Sequence, residues 1–536
     1  MAHHHSESMP NGSINIGSTH FLSLPRPDIL TGPPPGVVDT TTLAAHDFDV
    51  DTRTGFMPPQ APLRRLPVDW EPWEEVLDDA VGRKLQLGDR LDLDEGEKIN
   101  SEVWRVRVRE VGVFFLFFFS WLRGLKRRLF FFVKLPILPI TELKKSEVLL
   151  RRAHHVLGWI LHFYIHSLPP HTPIRIPPPL TLPLLQVSAQ LQLPPVLTYS
   201  DDVLYNWYIP NSDEIPTHTS PLRCQTLFTS TKDEAEFYLV SARIELRGVD
   251  ALELMRMMMD EAFVGDDIAA RRITTYLREL AGVIRDLAQI LSSVKEGCDP
   301  DVFYRDVRPW FRGEDSSSSS RGGEKRKWIF EGMEMDETLK EPTELSGPSA
   351  GQSSLIHALD AFLGVDRYSH SKETTRSFST TTTNQTETTG SFSTQTSSKS
   401  AFLQRMQLYM PRYHRAFLTH LSNNPRPLRE VVLSLTKSGE HPGLAEAYNE
   451  SVRALKEFRD LHMVIVALYI VGPAKRARER ERAAAVGEGV EEGKEEGEET
   501  RRRPLKGTGG TDLVKFLKGV RDQTEGTLLP LPGAPS

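Results

Sequence analysis

Apolar residues recur at steps of three and four along "DEAEFYLVSARIELRGVDALELMRMMMDEAF", "ITTYLRELAGVIRDLAQILSSV" and "SSLIHALDAFLGV". They do so again along "LREVVLSLTKSGEHPGLAEAYNESVRALKEFRDLHMVIVALYIV". That spacing predicts helices with one buried face. "DWEPWEEVLDDAVGRKLQL" reads as a further helix, and "RRAHHVLGWILHFYIHSLPP" as a buried one stopped by Pro169 and Pro170. "IPPPLTLPLLQVSAQLQLPPVLTYSDDVLYNWYIP" mixes extended, proline-bounded pieces with short helices. No run of alternating strands occurs, so the second half is read as all-α.

Four stretches break the pattern. Residues 1–20 are polar and predict a disordered tail. Residues 314–326, 371–400 and 475–504 hold serine, threonine or charge runs too polar to pack, so they predict solvated loops. Residues 111–135, "VGVFFLFFFSWLRGLKRRLFFFVKL", are apolar on every face. Arg123, Lys126, Arg127 and Arg128 split the run below the roughly 20 residues of a spanning helix. Phenylalanine codons are pyrimidine-rich, so a retained intron or gene-model error is the leading reading. An amphipathic surface hairpin and membrane insertion are the alternatives.

The 536 residues exceed one ordinary core, which predicts two domains with tails. The boundaries fall at 21–228 for a smaller N-terminal domain and 229–536 for a larger helical one. The composition is globular, with 39% hydrophobic and 26% charged residues. A net charge of -7 gives no global attraction to nucleic acid or an anionic membrane. Two cysteines, Cys224 and Cys298, exclude a disulfide framework and a four-thiolate metal site, and suit a reducing, cytoplasmic setting. The polar N-terminus has no apolar secretion segment.

Candidate chemistry begins with His462, one imidazole on an apolar helical face with Leu455, Phe458, Ile465, Val466 and Tyr469. Gly472 and Pro473 are read as the end of that helix. A satisfied core histidine and a haem ligand are both open, because a haem needs a neutral ring nitrogen and hydrocarbon walls. His155, His162 and His166 form a second stripe, with His162 and His166 at zinc-helix spacing but no glutamate or third ligand. "GPSAG" at 347–351 matches a nucleophile elbow around Ser349, yet no buried strand precedes it. "KGTGGTDLVKFLKGV" sets a glycine-rich hinge before a helix and lacks the Walker pattern. Phe303, Tyr304 and Arg308 could edge one pocket, an aromatic wall plus a guanidinium that suits an aromatic amino acid.

Taken in order, "FDVDTRTGFMPP", "LPPVLTYSDDVLYNW", "FYLVSARIE", "VFYRDVRPWFRG", "SAGQSS", "MPRYHRAFL", "LREVVLS", "FRDLHMVIV" and "GTGGTDLVKFLK" resemble the indoleamine 2,3-dioxygenase family, from about residue 47 to 523. The resemblance implies a mainly α, two-domain haem protein, a small N-terminal domain capping a larger all-α haem-binding one. It implies opening of the indole pyrrole ring of L-tryptophan, or a related indoleamine, with dioxygen to give N-formyl-kynurenine. Haem b and dioxygen are the implied cofactor and co-substrate, with a cellular reductant, a monomeric state and no nucleic-acid or membrane partner. His462 matches the proximal haem ligand, whose Nδ1–H should meet an acceptor. Asp360 and Arg459 match a pair on the propionate side, and Ser349 belongs to the haem environment. Tyr199, Phe237 and Ser241 match distal-pocket positions, and Phe303 and Arg308 those that stack the indole and hold the carboxylate. Ala350 and Gly351 would line the haem edge, where a larger side chain would clash, and Thr508 would close over substrate. Arg312, Gly313 and Glu314 replace the family's "SGW", and "SGPSAG" replaces a more glycine-rich form; both departures touch substrate affinity more than haem binding. The competing classes are a haem protein that senses oxygen or indoles, and a serine hydrolase using Ser349.

Overall fold

The computed structural model describes residues 48–109, 135–212, 214–316, 326–368, 398–437, 439, 441–487, 507 and 512–531. The chain begins with α1 (Glu71–Gly82), α2 (Glu95–Arg109), α3 (Glu147–His166) and α4 (Pro178–Leu191). It continues through α5 (Lys232–Arg247), α6 (Val249–Val264), α7 (Asp267–Ser292) and α8 (Ser354–Leu363). The remaining long helices are α9 (Ser398–Gln407), α10 (Arg412–Ser422), α11 (Leu428–Lys437), α12 (Pro442–Val466), α13 (Gly472–Gly487) and α14 (Leu513–Glu525). Beside the helices, two small two-stranded sheets occur. β1 (Ile174–Ile176) pairs in parallel with β4 (Trp328–Phe330), and β2 (Trp207–Tyr208) pairs antiparallel with β3 (Arg223–Cys224). Pieces of two or three residues are too short to leave a periodic pattern.

α7 and α12 pack along their lengths and form the axis of the helical part. In α7 the buried residues Ile273, Leu277, Leu280, Ala281, Ile284 and Leu287 make one stripe, and Asp266 caps its start by accepting from Ala269 N at 2.7 Å. In α12 the Ser451 hydroxyl donates to the Leu277 carbonyl at 2.7 Å. Asn449 exchanges two hydrogen bonds with the Leu529 backbone, at 2.9 and 2.7 Å, which seats the C-terminal segment on α12.

Gly472 and Pro473 do not end α12. Residues Ala467–Val471 form a π-turn and the helix runs on as α13. A proline has no N–H for the preceding turn, and the extra residue of a π-turn absorbs that break. The start of the 475–504 stretch is therefore helical to residue 487 rather than a loop. Alanine, arginine and glutamate are strong helix formers, and Lys475 lies 3.8 Å from Glu479 one turn on. Likewise Glu314 and Asp315 are packed rather than solvated: Glu314 accepts from Trp328 N at 3.0 Å and Asp315 from the Ser346 hydroxyl at 2.9 Å.

The tail at 1–20, the loops at 317–325, 371–397 and 488–504, and the aromatic run at 110–134 lie outside the described residues. What borders that run is informative. Leu135 donates its N–H to the Arg107 carbonyl at 3.0 Å, so the chain re-enters beside the point where it leaves. Leu135 is itself core, 1% exposed, and does not belong to the interrupting stretch.

Candidate functional site

Three elements carry the expected residues. α5 carries Phe237 and Ser241 four residues apart, on one face. Thr231 caps this helix, accepting from Glu234 N at 3.2 Å, and the buried Glu234 carboxylate takes the Phe228 and Thr229 N–H groups at 2.7 and 2.6 Å. The second element is a π-turn at Phe303–Val307, in which Arg308 N–H donates to the Phe303 carbonyl. Residues five apart in an α-helix diverge by about 140°. The wider π-turn brings Phe303 and Arg308 nearer to one face. The third is α12 with its own π-turn, which carries His462 and Tyr469.

The rings join these elements. Phe237 and Phe303 lie 4.4 Å apart, and the edge of Tyr469 meets Phe303 at 5.8 Å. The Tyr469 hydroxyl donates to the Cys298 carbonyl at 2.6 Å, anchoring the α12 continuation against the segment before Phe303. Arg308 lies over Tyr304, 5.7 Å from the ring centre. Burial and the nearby Arg312 push its pKa down to about 10.

His462 makes no hydrogen bond with any described residue. Its side chain is half-buried. Burial and Arg459 lower its pKa to about 4, leaving a neutral imidazole. Phe458, Ile465 and Val466 form buried hydrocarbon on the same helix. One turn back, Arg459 pairs with Asp360 of α8 at 2.5 Å and also donates to the Thr524 hydroxyl of α14. An iron porphyrin fits these residues: an unpartnered neutral nitrogen, apolar neighbours and a guanidinium one turn away. The acceptor expected for His462 Nδ1–H is not found among the described residues.

Ser349 precedes a 3₁₀ turn at Ala350–Gln352, and its hydroxyl accepts from Gly351 N at 3.2 Å. The residues before it form no strand, and no histidine hydrogen-bonds it among the described residues, so the elbow arrangement is absent. Ala350 is exposed, and a Cβ on Gly351 would meet Met406 and Phe402 only at ordinary contact, 3.5 and 3.8 Å. An added Cβ at Gly351 therefore finds room among the described protein atoms. Gly347 is the constrained position: a Cβ would sit 1.7 Å from the Phe311 carbonyl oxygen. Gly313 is its mirror, 2.1 Å from the Leu345 oxygen. Two glycines thus let the backbone after Arg308 touch the backbone before Ser349. Thr508 lies outside the described residues; Gly507 beside it is buried.

The competing stripe consists of satisfied core histidines. His155 bonds the Asp201 carbonyl and the Thr226 hydroxyl, both at 2.9 Å. His162 Nδ1 meets the Trp310 carbonyl at 2.7 Å and Nε2 accepts from Leu197 N at 3.3 Å; His166 meets the Arg312 carbonyl at 2.9 Å. No cluster of metal-ligating side chains occurs among the described residues. Sequence reasoning missed the neighbouring His154. Both its nitrogens face acceptors, Asp201 Oδ1 at 2.9 Å and the Pro194 carbonyl at 3.1 Å, and with Asp201 it forms a buried ion pair. Asp201 also takes Thr198 N and Oγ1, which fixes the turn that presents Tyr199.

Tyr199 is buried, its hydroxyl donating to Glu245 of α5 at 2.9 Å and its N–H to Gln352 at 2.8 Å. Glu245 lies one turn beyond Ser241, and the sequence reading did not single it out. Its place on the Phe237–Ser241 face was the available signal.

A family model described as indoleamine 2,3-dioxygenase matches residues 44–527. The chain is 32% identical over 405 residues to an indoleamine 2,3-dioxygenase of Saccharomyces cerevisiae, covering 73% of this chain and 82% of that one. It is 29% identical over 493 residues to indoleamine 2,3-dioxygenase 2 of Mus musculus, covering 92% and 97%. A 6-hydroxytryptophan 2,3-dioxygenase of Fusarium equiseti is 26% identical over 487 residues, covering 90% and 97%.

Proposed function

The chain belongs to the indoleamine 2,3-dioxygenase family, and on that premise we propose that it opens the pyrrole ring of L-tryptophan with dioxygen, giving N-formyl-kynurenine. It is an oxidoreductase of the haem-dependent dioxygenase type. What supports the substrate reading is an aromatic wall, Phe237 against Phe303, on the π-turn whose end carries the Arg308 guanidinium.

His462 would hold the haem iron through a ring nitrogen, Arg459 and Asp360 would serve its propionate side, and Ser349, Ala350 and Gly351 would line its edge. The haem supplies, when bound and kept reduced by a cellular donor, the iron at which dioxygen is activated. Phe303 stacks the indole, and Arg308 takes the amino-acid carboxylate in a two-point contact. Tyr199, Phe237 and Ser241 line the space over the indole. Apolar walls exclude water that would otherwise solvate the reacting groups. Thr508 would close over substrate. The protein acts as a monomer in a reducing, cytosolic compartment. Among the described residues no helix is long and apolar enough to cross a membrane, and Cys224 and Cys298 are free thiols.

Haem-loaded, reduced protein given L-tryptophan tests the proposal, with N-formyl-kynurenine and dioxygen uptake measured together. Equimolar product and uptake support it. The Fusarium relative makes 6-hydroxytryptophan the comparison substrate, and a preference for it would move the assignment to a substituted indole. A haem spectrum without product from either would leave a sensing role.

A further inference from the structure

Gln352 ends the turn that begins at Ser349, and its carboxamide joins two segments that flank the candidate pocket. Its side chain is 1% exposed. The amide oxygen accepts from Tyr199 N at 2.8 Å, and the amide nitrogen donates to the Gly347 carbonyl at 2.9 Å. A carboxamide carries both an acceptor and a donor, so one buried group satisfies both segments. The next residue, Ser353, donates to the Glu245 oxygen that also takes the Tyr199 hydroxyl, at 2.6 and 2.9 Å. Consecutive residues thus hold Tyr199 at its backbone and at the tip of its side chain.

Gly347 carries the link onward. Its backbone lies so close to Phe311 that an added Cβ would sit 1.7 Å from the Phe311 oxygen. Phe311 closes the short 3₁₀ turn that Arg308 opens, and its ring stacks on Phe237 with centres 5.9 Å apart. The contacts therefore run from Tyr199 through Gln352, Gly347 and Phe311 to Phe237, two residues assigned to the space over the indole joined through one carboxamide.

We propose that Gln352 is a positioning residue for the aromatic substrate: its carboxamide fixes the spacing between the Tyr199 turn and the Phe311 backbone, and with it the shape of the space that receives the indole. The inference rests on the dioxygenase reading. A wall already ordered before substrate arrives need not be ordered by binding it. Loss of the clamp should therefore weaken tryptophan binding and change haem content and turnover much less.

The test compares three variants with the wild type, full length and haem-loaded. Gln352→Met removes donor and acceptor at similar volume. Gln352→Glu keeps an acceptor for Tyr199 N in a side chain of the same shape. Trp70→Phe controls for general destabilisation, since it removes only the bond from the indole N–H to the Pro139 carbonyl at 3.0 Å. Tryptophan Kd is read from the ferrous–carbon monoxide spectrum, KM and kcat from product formation, and haem content from the Soret band. Gln352→Met should bind a full complement of haem and raise Kd and KM roughly tenfold, the worth of about one hydrogen bond, with kcat little changed; Gln352→Glu should lie between it and the wild type. Hydrogen exchange on the proteins as purified should be faster at Tyr199 N in Gln352→Met and unchanged there in Trp70→Phe. An unaltered Kd in Gln352→Met, or an equal rise in Trp70→Phe, overturns the proposal. Should Gln352→Met fail to fold, Gln352→Glu decides by the same comparison. A wild type that neither binds nor turns over tryptophan overturns the dioxygenase reading and with it the substrate role of Gln352, whereas a working wild type beside an unaffected Gln352→Met overturns this inference alone.

Discussion

Replacing Arg308 with alanine separates substrate recognition from folding, because the substrate carboxylate enters only the first. The guanidinium is largely buried over Tyr304, with Arg312 as a like charge nearby. A fall in its pKa to about 10 means that keeping the charge in place costs at most about 3 kcal/mol. A substrate carboxylate relieves that cost and adds a two-point hydrogen bond. Losing one partner of such a pair costs roughly 3–5 kcal/mol, or about two to three decades in kcat/KM. The substrate carboxylate takes no part in folding, so stability should suffer less than recognition. Arg308→Ala is therefore expected to keep its haem and most of its stability, while kcat/KM for tryptophan collapses. Arg308→Lys retains the charge but not the planar fork and should fall between the two. The assay is steady-state product formation alongside a melting curve and a Soret titration. Near-wild-type kcat/KM in the alanine variant would refute the carboxylate assignment, and loss of haem would show that Arg308 serves the cofactor instead.

His462→Ala should lose stoichiometric haem, read as the Soret-to-protein ratio after reconstitution; full retention would point to another ligand. Gly347→Ala forces a Cβ to within 1.7 Å of the Phe311 oxygen, so the two backbones must part. Overpacking of this kind costs about 1–3 kcal/mol and should lower both Tm and tryptophan affinity, whereas an unchanged Tm would contradict the close approach. Deleting residues 111–134 should raise soluble yield with specific activity intact, because Leu135 and Arg107 already hold the ends together; lost activity would mark the segment as a working insertion. His162 is held neutral, Nδ1–H donating to Trp310 and Nε2 accepting from Leu197, with a pKa lowered to about 4. Its contribution is complete above about pH 6.5 and is lost as pH falls through 4, so the stability advantage of wild type over His162→Gln should shrink by about 3 kcal/mol between those limits. Urea unfolding at pH 7 and pH 4.5 measures it, and a constant difference would refute the neutral assignment.

The helical periodicity was enough to place α3, α5, α7, α8 and α12, because each buries a long stripe whose spacing survives any arrangement of its neighbours. The ordered motifs were enough to name the family. Local sequence misled where a local rule met a tertiary answer. Gly472 and Pro473 read as a stop, yet packing around Tyr469 makes a π-turn the better outcome. The arginine–glutamate run reads as a loop, yet its residue types favour a helix once α12 has nucleated one. His155, His162 and His166 carry the spacing of a metal site, and only the carbonyls of Asp201, Trp310 and Arg312, brought from remote segments, turn them into core residues.

The sequence by itself determined which stretches are helical, which imidazole stands on an apolar face and which residues could serve an aromatic amino acid, since each depends on chemistry within a few turns. Tertiary structure alone decided that His154 is paired with Asp201, that Gly347 must be glycine, and that Glu245 joins Tyr199 to Ser353. Those facts depend on groups 47, 36 and 108 residues apart meeting at hydrogen-bond or van der Waals distance. No local pattern encodes such a meeting, because its energy exists only after the chain has folded.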